Sequence, residues 1–377
     1  MKGTTRTASK ASRLFALDAQ RGLILVLMAL DHASHFVAQK HSPGEYWGGP
    51  FPAYESALAF LTRLVTHLCA PGFFFLMGAG MVLFASARRR EGWRMPAVMG
   101  HFFLRGGLLV ALQFLVVNRA WELSPGGWVV ETYAGVLFAL GGAMMLSSLL
   151  LWARPPLLLG AGVALLLGAQ LLVPSPVLWT HAFSLPVRLL LVPGGDLTLW
   201  VNYPLLPWLG LALLGMGFGH WLMENPDRAF RRGCRLGLAL LLAFILLRLA
   251  NGLGNIRPRE GGSWIDFLNI VKYPPSLVFT LLTLGLNLAL MGLWNRLSSG
   301  LRRFFQPLLV YGRVPLFFYV AHLFLYAALG HVLASGGTTY PRMYLYWLLG
   351  LLLLYPPCLG YGWLKGRPFA RPFLRFF

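Results

Sequence analysis

Ten stretches of this chain are apolar over about the length a helix needs to cross a lipid core, roughly 20 residues. They fall at 17–37, 59–86, 98–117, 131–152, 155–173, 203–222, 234–252, 275–295, 308–333 and 343–364. Inside a bilayer every backbone N–H and C=O must be satisfied within its own segment, so runs of this kind are expected as helices. The fold class that follows is all-α: a polytopic membrane protein with about ten transmembrane helices. Only 12% of the residues are charged and 57% are hydrophobic, against about 25% charged in a soluble domain. That leaves no separate soluble domain long enough to fold alone. The expected organisation is one transmembrane domain, 17–364, between a basic N-terminal tail, 1–16, and a basic C-terminal tail, 365–377. No A-x-A-type cleavage site follows the first apolar run, so it is expected to be retained as a span. Prolines at 155, 156, 204, 207, 274, 275, 356 and 357 sit near span ends, where a missing N–H costs little.

Charge orients the spans. The net charge is +20, but the Lys and Arg residues are distributed unevenly. One set of loops and both ends carry 20 of them, including Arg88, Arg89, Arg90, Arg94, Arg228, Arg231, Arg232 and Arg235; the opposite loops carry seven. Positive residues stay in the cytoplasm, so both termini are expected there. The charge then reads as topology and attraction to membrane lipid, and nucleic acid is not expected as a partner. The longer loops, 38–58, 174–202 and 253–274, fall outside and are rich in Trp, Tyr, Gly and Pro, which predicts a structured outer vestibule. Cys69, Cys234 and Cys358 are isolated and have no metal or redox spacing.

The first span, RGLILVLMALDHASH at 21–35, carries groups a bilayer penalises. On an ideal helix Asp18, His32 and His35 lie at about 60°, 20° and −40° from Arg21, and Asp31 at about −80°. Arg21 and His32 are about 16 Å apart along the axis. Such a stripe has to face a polar cavity or partner side chains. The second span places Arg63 and His67 one turn apart. Ala70-Pro71-Gly72 is expected to break that helix, and the GAG at 78–80 allows a close helix approach. Further ionisable groups within spans are Arg105, Arg248, Arg313, His322 and His331. For these, snorkelling or plain helix–helix hydrogen bonding competes with a functional reading.

A neutral histidine is a general base near pH 7, and arginines provide permanent charge suited to phosphate. The sequence has no G-x-S-x-G elbow, Walker loop or H-E-x-x-H, and few acidic residues are placed for a metal, so no metal is expected. A base towards the outer face with arginines deeper towards the cytoplasm suggests a reaction at the end of a channel. A phosphorylated donor would enter from inside and an acceptor would be deprotonated outside. The same groups would serve a transporter or flippase of a small polar or lipid-linked substrate, and a non-catalytic envelope scaffold is a third reading.

LDAQRGLILVLMALDH resembles the opening of the membrane acyltransferase superfamily that includes heparan-α-glucosaminide N-acetyltransferase and a large bacterial branch. LCAPGFFFLMGAG (68–80), NYPLLPWLGLALLGMGFG (202–219), KYPPSLVFTLLTLG (272–285) and YGRVPLFFYVAHLFLY (311–326) extend the resemblance in order along the chain. Separately, Arg21 followed after ten residues by His32 matches a motif of the acyltransferase-three family, which O-acylates surface sugars. The superfamily resemblance implies a ten- or eleven-helix protein of the bacterial inner membrane, with acetyl-CoA or another acyl-CoA as donor on the cytoplasmic side. The acceptor it implies is a saccharide or other envelope group outside. The family's catalytic histidine lies in the loop after the Arg-Gly helix, and the closest position here is His41, with a two-residue length difference. The animal enzyme carries Asn near the end of that helix, where this chain has His32. The expected catalytic set is therefore His32, His41 and Asp31, the last orienting one histidine. The expected donor-binding set is Arg21, Arg63 and His67. The oligomeric state stays open, a homodimer included.

Overall fold

The computed structural model describes residues 5–41, 44–367 and 369, with side chains from Phe15 onward. Lys2, Arg371 and Arg375 of the expected basic tails lie outside the described residues, as do the side chains of Arg6, Lys10 and Arg13. The chain is all-α and polytopic. Nine helical segments are long and apolar enough to cross a membrane, among the described residues.

Helix α1 (Thr5–Ala33) continues into a π-helical turn, Ser34–Ala38. There follow α2 (Ala57–Thr66), α3 (Cys69–Arg90), α4 (Met95–Leu112), α5 (Val136–Ser148), α6 (Pro155–Leu172), α7 (Leu205–Glu224) and α8 (Pro226–Ala250). The last four are α9 (Leu277–Arg296), α10 (Gln306–Arg313), α11 (Pro315–Leu333) and α12 (Tyr340–Gly366). The fourth apolar run is shorter than the sequence suggests. Helix α5 has 13 residues, about 20 Å of helix, too little for a lipid core of about 30 Å. Its outer end is capped from within the bundle, where Gln113 Oε1 accepts from Leu137 N at 3.2 Å. It packs on α4 through mutual glycines: a Cβ on Gly106 would meet the Gly141 carbonyl oxygen at 2.6 Å. Backbones can come this close only where side chains are absent.

The second span breaks earlier than expected, at His67–Leu68, and Pro71 sits inside the first turn of α3, where its missing N–H costs nothing. Asn287 on α9 donates to the Leu68 carbonyl at 3.2 Å and takes a 2.7 Å bond from Gln20 on α1. Three helices are thereby tied at the break. The two glycines of the GAG behave differently. A Cβ on Gly78 would lie 1.9 Å from the Ala212 carbonyl oxygen of α7, whereas one on Gly80 would meet nothing within 4 Å.

The three long outer loops interlock, as a structured vestibule requires. Strand β1 (Thr132–Ala134) pairs parallel with β3 (Leu199–Val201), and β2 (Gly194–Gly195) pairs antiparallel with it. Tyr46 Oη donates to Asn202 at 2.6 Å, Trp47 Nε1 to the Pro193 carbonyl at 3.2 Å, and both Lys272 N and Tyr273 N to the Glu45 carbonyl at 2.8 and 3.0 Å. Arg248, open to a snorkelling reading in the sequence, is buried instead. Its guanidinium donates to the carbonyls of Asp266, Phe267 and Asn269 and to Asn255 Oδ1, and so anchors the 253–274 loop.

Candidate active site

Two cavities touch the first span at different levels, the larger at Arg21 and the smaller at Asp31 and Ser34. The larger, about 330 Å³, lies between α1, α3, α4, α5 and α11. Arg21, Arg105, Arg313 and Lys365 contribute its charge; most of the remaining wall is apolar, with Gly80, Met81, Leu137 and Leu316 among it, and Tyr319 also lines it. Lys365 belongs to the last helix and Arg21 to the first, so the two ends of the bundle meet at one side. The basic asymmetry makes that side cytoplasmic. Arg21 Nη1 donates to Asp18 Oδ1 at 2.9 Å and to the Gly312 carbonyl at 3.3 Å, and Arg313 Nε lies 3.7 Å from Asp18 Oδ2. One carboxylate thus answers two of these cations. Arg105 Nε is buried without a hydrogen-bond partner among the described residues. An excess of buried-facing positive charge over an apolar wall is suited to a phosphorylated amphiphile.

The smaller cavity, about 10 Å³, is lined by Asp31, Lys40, His41, Arg63 and Tyr340 among others, and is roughly the size of one water molecule. Beside it lies a buried ion network. Arg63 at the end of α2, 5% exposed, holds Glu45, 0% exposed, in a two-pronged grip: Nε to Oε1 at 2.8 Å and Nη2 to Oε2 at 2.8 Å. Its Nη1 donates to Asp31 Oδ1 at 2.7 Å, and Thr66 Oγ1 donates to the same oxygen at 2.9 Å. His67 Nε2 lies 3.6 Å from Glu45 Oε1, and its Nδ1 is buried without a hydrogen-bond partner among the described residues. Burial opposes the Glu45 charge, but the Arg63 guanidinium outweighs it and holds the carboxyl below the usual glutamate range. His41 in the loop is 26% exposed and lies 3.7 Å from Asp31 Oδ1. Burial pushes it down to about 3, with Asp31 pulling the other way and Arg63 adding to the fall.

The residues predicted from sequence therefore divide into three groups. Arg21 lines the cytoplasmic cavity. Arg63 and His67, expected beside it in the donor path, stand instead at the outer network, because the last turn of α2 faces the Glu45 loop. Asp31 is spent on Arg63 and Thr66 and lies beyond hydrogen-bond reach of His41. His32 turns to α11, with its Nδ1 2.6 Å from His322 Nε2, and His35 Nε2 lies 3.1 Å from Ser124 Oγ. The common stripe of Arg21, His32 and His35 thus has a different hydrogen-bond partner at each residue, while His32 and His35 share Trp121. Glu45 escaped notice in the sequence; its one signal was an acidic residue within an aromatic, glycine-rich outer loop, SPGEYWGG. Among the described residues no group of three or more His, Cys, Asp or Glu is arranged to hold a metal ion.

The family described as heparan-alpha-glucosaminide N-acetyltransferase, catalytic, matches residues 13–248. Heparan-alpha-glucosaminide N-acetyltransferase of Mus musculus is 30% identical over 133 residues, which is 35% of this chain and 18% of the mouse protein. The Na(+)/H(+) antiporter NhaA 2 of Pseudomonas syringae pv. syringae is 29% identical over 259 residues, 64% of this chain and 62% of that protein. The match to NhaA 2 of Pseudomonas savastanoi pv. phaseolicola is of the same kind, 29% over 257 residues. In each case the aligned part is less than two thirds of the relative's length. Asp31, His32, His41, Glu45, Arg63 and Arg105 fall inside the family match; Arg313, His322 and Lys365 fall outside it.

Proposed function

The chain belongs to the heparan-alpha-glucosaminide N-acetyltransferase catalytic family, and from that premise we propose that it moves an acyl group across the membrane plane. The donor is acyl-CoA, with acetyl as the first candidate, drawn from the cytoplasm. The acceptor is a hydroxyl or amine of a saccharide or other envelope molecule outside, and the membrane is the inner membrane of a bacterium. Arg21, Arg105, Arg313 and Lys365 bind the donor's phosphates. His32 and His41 are the two candidates for the group that takes the acceptor's proton. The single observation that carries this reading is a run of side chains in contact between the cationic cavity and His32. Tyr319 lines the cation-rimmed cavity, its ring lies 5.7 Å from that of His322, and His322 bonds His32. Two packed rings thus link the cavity proposed for the donor to His32.

Purified protein is expected to be stabilised by coenzyme A, by about 2.7 kcal/mol at a hundred times the dissociation constant, read as a thermal shift in detergent. With labelled acetyl-CoA and a panel of saccharides it is expected to transfer label. His32→Ala or His41→Ala is expected to cut the rate by roughly 10²- to 10⁴-fold. Full transfer in both variants would remove the histidine assignment, and absence of any CoA-dependent shift would remove the donor site.

The similarity to Na(+)/H(+) antiporters favours a second reading, a transporter that uses the same intramembrane histidines and arginines. It predicts ion-driven proton movement in proteoliposomes with no consumption of acyl-CoA.

A further inference from the structure

We propose that His322 is a positioning residue that locks His32 into the tautomer with a bare Nε2, and that His32, rather than His41, is the base that receives the acceptor's proton. The inference rests on the acyl-transfer reading above and goes beyond it by choosing between the two histidines and adding a third.

The partner of one ring nitrogen fixes the roles of the other three. His322 Nδ1 lies 3.0 Å from the Phe318 carbonyl oxygen one turn earlier in α11. A carbonyl oxygen only accepts, so this nitrogen carries the hydrogen. The ring is 0% exposed, stacked on Phe318 at 5.4 Å and edged by Tyr319 at 5.7 Å, so packing holds it in this pose. In the neutral ring Nε2 is then bare and must accept. Its partner at 2.6 Å is His32 Nδ1, which therefore carries a hydrogen. That leaves His32 Nε2 with the lone pair. The tautomer of one imidazole is set by the hydrogen bond of its other nitrogen, and here a helix carbonyl sets two imidazoles in series. Among the described residues nothing bonds His32 Nε2, and the side chain is only partly buried. Trp121, edge-on at 5.5 Å, packs against the ring.

His41 has no such support. Its nearest carboxylate oxygen, Asp31 Oδ1, is 3.7 Å away and already accepts from Arg63 and Thr66. Among the described residues no hydrogen bond holds either of its ring nitrogens. A base works best when its lone pair is fixed before the substrate arrives.

In the proposed step the acceptor's O–H or N–H proton passes to His32 Nε2 as its oxygen or nitrogen bonds the thioester carbon. The C–S bond breaks, and the coenzyme A thiolate leaves with the electron pair. The imidazolium keeps its Nδ1–H bond to His322 throughout, and its Nε2 proton ends on the thiolate. No oxidant, metal or further reactant enters.

The test compares the wild-type protein with His322→Leu and His322→Gln. Glutamine keeps a side-chain oxygen able to accept from His32 Nδ1–H; leucine does not. Proton–nitrogen correlation spectra of ¹⁵N-histidine-labelled protein in micelles, with His32 assigned from His32→Gln, report the tautomer. The expected wild-type signal is Nδ1–H, retained in His322→Gln and lost in His322→Leu. Acyl transfer is expected to fall on the order of 10²-fold in His322→Leu and to return to within roughly tenfold of wild type in His322→Gln, while the thermal shift with coenzyme A stays unchanged in both. A wild-type Nε2–H tautomer, wild-type transfer by His322→Leu, or a failure of glutamine to rescue would each overturn the proposal. If the wild type transferred no acyl group to any acceptor while still binding coenzyme A, the acyl-transfer reading would fall and His32 as base with it. The spectra would still decide the tautomer lock.

Discussion

Glu45→Ala is expected to destabilise the protein by about 3–5 kcal/mol, because it strips a buried guanidinium of its two-pronged partner. Arg63 is 5% exposed, and Glu45 accepts both its Nε and its Nη2 at 2.8 Å. With the carboxylate gone, Asp31 would be left to satisfy Arg63 alone. The effect reaches further than one pair. Tyr54 Oη also donates to the Glu45 side chain at 3.1 Å, so the loop carrying His41 loses its side-chain anchor to α2, while the backbone bonds from Lys272 and Tyr273 to the residue 45 carbonyl remain. Arg63→Lys is expected to be nearly as damaging, since an ammonium cannot reproduce the fork. Unfolding in detergent by denaturant or heat measures both; a loss below about 1 kcal/mol, typical of surface ion pairs, would contradict the account. Acid dependence follows from the same groups. Glu45 is depressed in the fold by Arg63, so its contribution is present above its unfolded value of 4.5 and fades as pH falls below it. His41, at about 3 when folded against 6.5 when unfolded, takes up its proton more readily in the unfolded chain, so stability begins to decline once pH drops below about 6.5. Both act in one direction: the melting temperature falls on acidification. Glu45→Ala removes the steeper part below pH 4.5 and leaves the His41 part.

Gly80→Phe is expected to abolish donor binding while leaving the bundle intact. A side chain at this position meets nothing within 4 Å at its root and projects from α3 at the wall of the 330 Å³ cavity. The ring would take up space in the cavity that Arg21, Arg105 and Tyr319 also line. The coenzyme A thermal shift is expected to vanish, and KM for acyl-CoA to rise tenfold or more, which is at least about 1.4 kcal/mol. Replacing a helix glycine also removes a backbone entropy penalty, so the melting temperature without ligand should hold or rise. Gly78→Phe, two residues away, supplies the contrast. Its first side-chain carbon would lie 1.9 Å from the Ala212 carbonyl oxygen, so that variant should fail to pack. A full coenzyme A response in Gly80→Phe would place the donor elsewhere.

Much of the architecture was readable in residues 1–377 taken alone. The apolar runs located the helices, and the GAG motif indicated close helix packing, though only Gly78 makes that contact with α7. Glycine-, tryptophan- and tyrosine-rich loops announced an ordered outer cap, and Tyr46, Trp47 and Glu45 do tie the three loops together. The candidate site was legible as a set of residue types and illegible as a set of pairs. A helical projection placed Arg21, His32 and His35 on one stripe, and it could not say that each would have a different hydrogen-bond partner. Arg63 offers the clearest case. Its charge and depth suggested the donor path, yet it is claimed by Glu45, from a loop whose polar groups follow no period.

Most of the apolar helices and the placement of positive charge were legible in the chain alone. Those properties are local: a segment in lipid must satisfy its own backbone, and lysine and arginine act through their count on each side. Tertiary structure alone decided which polar groups meet. The decisive bonds, Gln20 to Asn287 and His32 to His322, join residues 267 and 290 positions apart. Their partners are chosen by how distant helices pack at their glycines and by where a helix breaks. No periodicity within one span encodes the identity of the helix that will lie against it.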